Sequence, residues 1–271
     1  MLVGTQEVSS DPGADDSTRP RPSPPPASLP RGAAPRTRGY LQAGPVPLAS
    51  VLAVLLATNL LTNRLAPGLY LPTCLAAAAV LLLISRGAGL DRADLGLGAA
   101  TARSGLRWAL VGAAVVLAGY LACLAVPATR EVFSDERAAG LSVGAVLWRT
   151  LVRVPFGTVV LEEVGFRGVL WALLANRLGH AWATGISSAL FGLWHLLPSL
   201  GITRANAAAT GVFGSTRPGQ VAAVLAAVLG TAAAGVLLCE LRRRSGSLLA
   251  PAGLHCAANS FGYLLAWAAS R

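Results

Sequence analysis

The chain has 271 residues, of which 54% are hydrophobic and 13% charged, with a mean hydropathy of +0.59. Soluble domains carry about 25% charged residues, so the composition excludes an ordinary soluble enzyme, a disordered protein and a nucleic-acid-binding domain. The net charge of +10 comes from arginine alone, there being no lysine. The arginines sit between apolar segments, where they read as membrane anchors. Arg without Lys, beside abundant Ala and Gly, suggests GC-rich coding DNA and a bacterial source.

Residues 1–44 differ from the rest. The stretch RPRPSPPPASLPRGAAPRTRG is rich in Pro, Ser and Arg, without apolar periodicity. Such composition cannot bury enough surface to offset ordering entropy, and predicts a disordered tail. It lacks the apolar core of a signal peptide.

From Pro45 onward, apolar blocks alternate with short polar joints. Seven blocks approach the ~20 residues that a helical span requires. They cover 46–63, 69–85, 106–126, 143–163, 181–197, 218–240 and 247–269. The fourth carries Arg149 and Arg153 and runs on past Glu162 and Glu163. No segment alternates like barrel strands, and a helix satisfies its own backbone in lipid. The expected fold is an all-α transmembrane bundle of about seven spans, six to eight, as one domain over 45–271.

Orientation follows the arginines. Arg31, Arg36, Arg38, Arg86, Arg92, Arg103, Arg107, Arg167, Arg177 and the run Arg242–Arg243–Arg244 fall on one side. Arg64, Arg130, Arg137, Arg204, Arg217 and Arg271 fall on the other. The bias predicts a cytoplasmic N-terminus in a plasma membrane. The cysteines Cys74, Cys123, Cys239 and Cys256 form no C-x-x-C pair and lie in or beside apolar runs, where a thiol packs as a small hydrophobe.

Ionisable side chains inside a span are costly and point to function. Three clusters stand out. In LEEVGFRGVL, Glu163 and Arg167 are four apart on one helical face, with Glu162 within reach of the same guanidinium. Two carboxylates beside one guanidinium let one stay ionised while burial tunes the other as a general base. In FGLWHLLPS, Phe191 and His195 are four apart, and Pro198 ends or bends the helix. In LHCAANS, His255 and Asn259 share a face and can orient a water, a metal or an oxyanion. Taken singly, each cluster is also what a buried ion pair, a satisfied core histidine or an interhelical hydrogen bond looks like.

Depth links them at ~1.5 Å per residue. His255 lies about 16 Å beyond Arg244, His195 about 22 Å beyond His180, and Glu162 about 22 Å before Arg177. All three reach the middle of a bilayer, which argues for one shared site. Spacing alone does not choose between Glu162 and Glu163 as base.

This constellation resembles the CPBP family of intramembrane proteases, also called Abi or the CAAX prenyl-protease type II (Rce1-like) family. The pattern is E-E-x-x-x-R, F-x-x-x-H and H-x-x-x-N on successive helices. It is carried here by Glu162-Glu163-Val164-Gly165-Phe166-Arg167, Phe191…His195 and His255…Asn259, with GSLLAPAGLHCAANS similar to the usual lead-in. The resemblance covers about 140–265. It implies a peptidase in which Glu162 activates a water and Glu163 pairs with Arg167. His195, His255 and Asn259 then hold the water, the oxyanion or a metal. Two histidines and a carboxylate, His195, His255 and Glu162, would suit zinc, and a metal-free glutamate-activated water fits the same residues. Partners are membrane lipid and a peptide or lipoprotein, with no nucleic acid.

Other intramembrane proteases fit less well. There is no H-E-x-x-H, no complete G-x-S-G, and no Asp within a span. A non-catalytic immunity or scaffold protein keeping the same polar cluster is the main alternative. A proton-coupled transporter is a third, although the internal repeats or paired broken helices of such proteins are not seen. Arg149 and Arg153 read either as interfacial snorkelling side chains or as partners for a substrate carboxylate.

Overall fold

A computed structural model describes residues 44–136 and 138–271, without the side chain of Ala128. The proposed tail, its arginines and Arg137 lie outside the described residues, Gly44 excepted. Seven longer helical runs occur among the described residues: α1 (Val46–Leu60), α2 (Tyr70–Gly87), α3 (Ala102–Ala125), α4 (143–178), α5 (His180–Trp194), α6 (Arg217–Ser245) and α7 (Leu249–Ala269). Every apolar block read from the sequence is helical, and the described residues contain no strand, only an isolated bridge between Asp135 and Asn206. The all-α membrane class therefore stands.

Among the described residues, four helices are long and apolar enough to cross a membrane: Val46–Leu65, Pro67–Gly87, Ala99–Ala125 and Arg217–Ser245. The other three blocks form shorter helices or helices with polar side chains in their middles. Leucines and valines of α1, α3 and α6, among them Leu56, Leu110, Val115 and Leu229, face outward. An apolar exterior of this kind matches lipid contact, and the chain is an integral membrane protein.

α3 packs on α7, α5 on α6, and α1 on α2. Small residues permit the close approaches, as in membrane bundles generally. At Gly192 in α5 an added Cβ would meet the carbonyl oxygen of Val228 at 2.6 Å and the Ala232 Cβ at 2.8 Å. Gly235 of α6 gives the reciprocal closeness to Ser188.

α4 is the unusual element. Its stretches Arg149–Val159 and Glu163–Leu170 are wound as π-helix, joined by the α-helical turn Val160–Glu162. Pro155 removes one backbone donor inside the first stretch, which accounts for a departure from α-helical winding there. The second has no proline, and its winding has no equally simple cause. Neighbouring helices add hydrogen bonds to both: Ser260 Oγ donates to the Thr150 carbonyl and Ser187 Oγ to the Phe166 carbonyl, each at 2.8 Å. Wide turns of this sort cluster at functional sites. Residues 161–174 of α4 are buried throughout, so this helix is the centre of the bundle.

Gly179 (φ +81°) separates α4 from α5, and Gly246 (φ +69°) caps α6 in the left-handed region that only glycine enters without strain. The arginines ending α6 do not act alike. Arg243 and Arg244 are exposed and pair with Glu240, whereas Arg242 is buried. Arg242 donates to the Asp94 carbonyl at 2.9 Å, which ties the α2–α3 loop to the end of α6.

Candidate active site

The four ionisable groups at the centre come from α4 and α7. Glu162, Glu163, Arg167 and His255 are 3%, 1%, 0% and 8% exposed. Charges so deep require partners, and they find them in one another. Arg167 Nη1 lies 3.1 Å from Glu163 Oε1, and the same oxygen lies 2.8 Å from His255 Nδ1. Glu163 thus ties the guanidinium to the imidazole across two helices. An ionised carboxylate only accepts, so the proton in that contact is assigned to Nδ1 of His255.

His255 Nε2 then faces Glu162 Oε2 at 3.7 Å, beyond hydrogen-bonding distance. The other oxygen of Glu162 is held: Trp194 donates its indole N–H to Oε1 at 2.9 Å. Glu162 Oε2 makes no protein hydrogen bond. Glu163 Oε2 is likewise without a hydrogen bond. The two glutamates differ in their bonded oxygens: Glu163 Oε1 is shared by a guanidinium and an imidazole, whereas Glu162 Oε1 accepts only from an indole N–H.

Phe191 sits at the middle of the cluster. The Arg167 guanidinium lies 3.8 Å from the centre of its ring, and the His195 and His255 rings stand roughly perpendicular to it with centres 4.6 and 6.0 Å away. A cation on an aromatic face is favoured most where water is excluded. Phe191 is also packed edge-on against Phe166.

α5 stops at Trp194, and His195 has φ −83° and ψ 0° before the short turn Leu196–Ser199 that contains Pro198. The bend expected from Pro198 thus falls just before His195. That backbone region is sparsely populated and recurs at active sites. His195 Nδ1 lies 2.8 Å from the Phe191 carbonyl. A carbonyl only accepts, so this contact assigns the proton to Nδ1 and leaves Nε2 as an acceptor.

His195 and Asn259 line a cavity of about 520 Å³, together with Tyr70, Arg149, Arg153 and Thr158. Glu162, Glu163 and His255 are packed more deeply and are not on its wall. His255 and Asn259 share a helical face, but the imidazole turns to the glutamates and the carboxamide to the cavity. The fit to a metal is poor: among the described residues no group of three His, Cys, Asp or Glu is placed to hold one, and Glu162, His195 and His255 do not form such a set.

Sequence reasoning missed three contributors. Trp194 was legible as an indole N–H inside an apolar run, which needs an acceptor when buried. Asn59, a lone amide in α1, donates to the Trp194 carbonyl at 2.8 Å and steadies that residue from the other side. Tyr70 shares a 3.0 Å hydrogen bond with Thr158, and nothing in its local sequence signals that pairing.

A family model described as type II CAAX prenyl endopeptidase Rce1-like matches residues 144–261, which include every residue of the three motifs. No curated protein and no solved structure matches the chain.

Proposed function

Because residues 144–261 belong to the Rce1-like family, a family of proteases, we propose that this chain is an intramembrane endopeptidase in which Glu162 activates the attacking water. The observation that carries this reading is the asymmetry of the glutamate pair. Glu163 Oε1 is neutralised by Arg167 and shared with His255, whereas Glu162 has no arginine partner and turns Oε2 towards His255 Nε2 at 3.7 Å.

In this reading Glu162 Oε2 accepts a proton from water as the water oxygen attacks the peptide carbonyl. Trp194 holds the other oxygen, which fixes the direction of the carboxylate. His255 is oriented by Glu163 as an imidazole is by a neighbouring carboxylate, and it steadies the proton that Glu162 gains. Asn259, on the cavity wall, donates its amide N–H to the developing oxyanion. His195 accepts a hydrogen bond at Nε2 from water or substrate. The proton on Glu162 then passes to the leaving amine, the C–N bond breaks, and acid and amine are released. Every step uses side chains of the chain itself, and none is routed through a metal.

The substrate is a peptide or lipoprotein segment that reaches the cavity from the membrane. The arginine distribution favours a cytoplasmic N-terminus, and the use of Arg without Lys favours a bacterial plasma membrane. The test is cleavage of a library of free and lipidated peptides by the purified full chain in liposomes, beside Glu162→Gln. Cleavage that disappears in a folded Glu162→Gln variant supports the reading. Cleavage that persists overturns the assignment of the base, and a well-folded wild type that cleaves nothing favours the immunity or scaffold alternative.

A further inference from the structure

Contacts between the joints mark two ends of the bundle. At the first, Arg242 donates to the Asp94 carbonyl, Thr101 Oγ1 to the Gly246 carbonyl and the Leu248 amide to the Gly96 carbonyl. The α2–α3 and α6–α7 joints therefore lie together. At the second, the Asn206 side chain donates to the Val132 carbonyl, and the Trp267 indole to the Leu141 carbonyl. The α3–α4 and α5–α6 joints lie there, with the end of α7.

The cavity beside His195 and Asn259 belongs to the second end. Its wall takes Tyr70 from the start of α2, Tyr120 and Cys123 from the end of α3, and Thr158 from the first half of α4. Phe133 and Asn206 extend the wall into the two joints themselves. Towards the first end the bundle is filled. Residues 161–174 of α4 are buried throughout, and the Arg167–Glu163 pair lies among them. A separate cavity of about 520 Å³, beside Arg86 and Arg92 at the first end, shares no lining residue with that of His195.

Arginine distinguishes the same two ends. Arg86, Arg92, Arg103 and Arg107 lie in or beside the α2–α3 joint. Arg177 ends α4, Arg242, Arg243 and Arg244 end α6, and in the sequence Arg36 and Arg38 shortly precede α1. By sequence position the joints of the second end hold fewer: Arg64, Arg130, Arg137, Arg204, Arg217 and Arg271. Short loops with the excess of Arg and Lys stay in the cytoplasm, whatever acids accompany them. The basic end is then cytoplasmic, and the cavity lies at the end away from it.

Resting on the peptidase reading above, we propose that the site draws its substrate from the extracytoplasmic side of the membrane. The substrate class is an exported peptide, or the outward-facing segment of a membrane protein or lipoprotein. A cytoplasmic segment would have to cross the packed half of α4 to reach Glu162.

Sidedness and cleavage are tested separately. The full chain is expressed in bacteria, and spheroplasts are treated with a membrane-impermeant maleimide. In a Cys123→Ala background a reporter is placed at one end or the other, as Arg92→Cys or Arg204→Cys, both at exposed positions. Labelling is read above that of the Cys123→Ala parent. Arg204→Cys is expected to react in intact spheroplasts, and Arg92→Cys only after permeabilisation. The reverse pattern overturns the proposal, and so does labelling of both in intact spheroplasts. Peptides bearing a charged tag, which keeps them on the side of addition, are then offered to spheroplasts and to sealed inverted vesicles. Glu162→Gln sets the background. Cleavage is expected in spheroplasts, and is expected to be lost in inverted vesicles until detergent opens them. Cleavage by sealed inverted vesicles alone sinks the proposal and leaves the peptidase standing. Outward labelling of Arg204→Cys with no cleavage even in detergent keeps the cavity on the outer side and sinks the peptidase reading instead.

Discussion

Trp194 donates its indole N–H to Glu162 Oε1 at 2.9 Å, and its own carbonyl accepts from Asn59. The residue next along the chain, His195, lines the cavity. One turn of backbone at the end of α5 therefore serves both the buried carboxylate and the cavity wall. Trp194→Phe keeps the packing and removes the donor. A lost hydrogen bond to a charged group costs about 1.5–3 kcal/mol. We expect kcat to fall by about 10- to 100-fold and the thermal midpoint by about 3–12 °C. An unchanged kcat in Trp194→Phe would show that the carboxylate needs no such support.

The Arg167–Glu163 pair predicts strong non-additivity. Arg167→Met leaves Glu163 buried with only His255 beside it. Removing one partner of a buried pair costs about 3–5 kcal/mol, or about 6–20 °C in midpoint for a domain of this size. Arg167→Met with Glu163→Gln is expected to recover a large part of that loss, because no uncompensated charge remains. Thermal melts of the two single variants and the double in one detergent measure it. Simple additivity would mean that the two side chains do not depend on each other.

Two glycines of α5 give a packing test with an internal control. At Gly192 a Cβ would strike the backbone of α6, whereas at Gly185 nothing lies within 4 Å. Gly192→Ala should destabilise by about 1–3 kcal/mol, as overpacking does, and should lower activity by displacing His195. Gly185→Ala should be neutral or stabilising by up to about 1 kcal/mol. Equal melting behaviour of the two variants would contradict the close α5–α6 contact.

Metal chelation is expected to leave cleavage unchanged, since Glu162, His195 and His255 do not converge as a ligand set. Activity after dialysis against 1,10-phenanthroline or EDTA measures this. Loss of cleavage that zinc restores would require the three side chains to rearrange around an ion.

Arg242 shows where reading a residue by its neighbours misleads. In the sequence it is the first of three adjacent arginines and reads as one more anchor. In the fold it is buried under the α2–α3 loop while Arg243 and Arg244 remain outside with Glu240. Successive helical residues point about 100° apart, so adjacent arginines need not share an environment. The bend at His195 was legible, because Pro198 cannot continue a helix. The π-winding around Glu163 was not, since no proline or other local breaker marks that stretch.

What the sequence determined by itself was the class of the protein and the members of its central cluster. Unbroken apolar blocks require helices in lipid, and Glu163–Arg167, Phe191–His195 and His255–Asn259 share helical faces by spacing alone. Tertiary structure decided the division of labour. Contacts between α4, α5 and α7 commit Glu163 to Arg167 and His255, and they bring Trp194 to Glu162. They also turn Asn259 to the cavity and His255 away from it. Helical periodicity says which side chains face the same way, but which of two adjacent carboxylates meets the imidazole and which the indole depends on what a different helix, more than thirty residues away, places beside it.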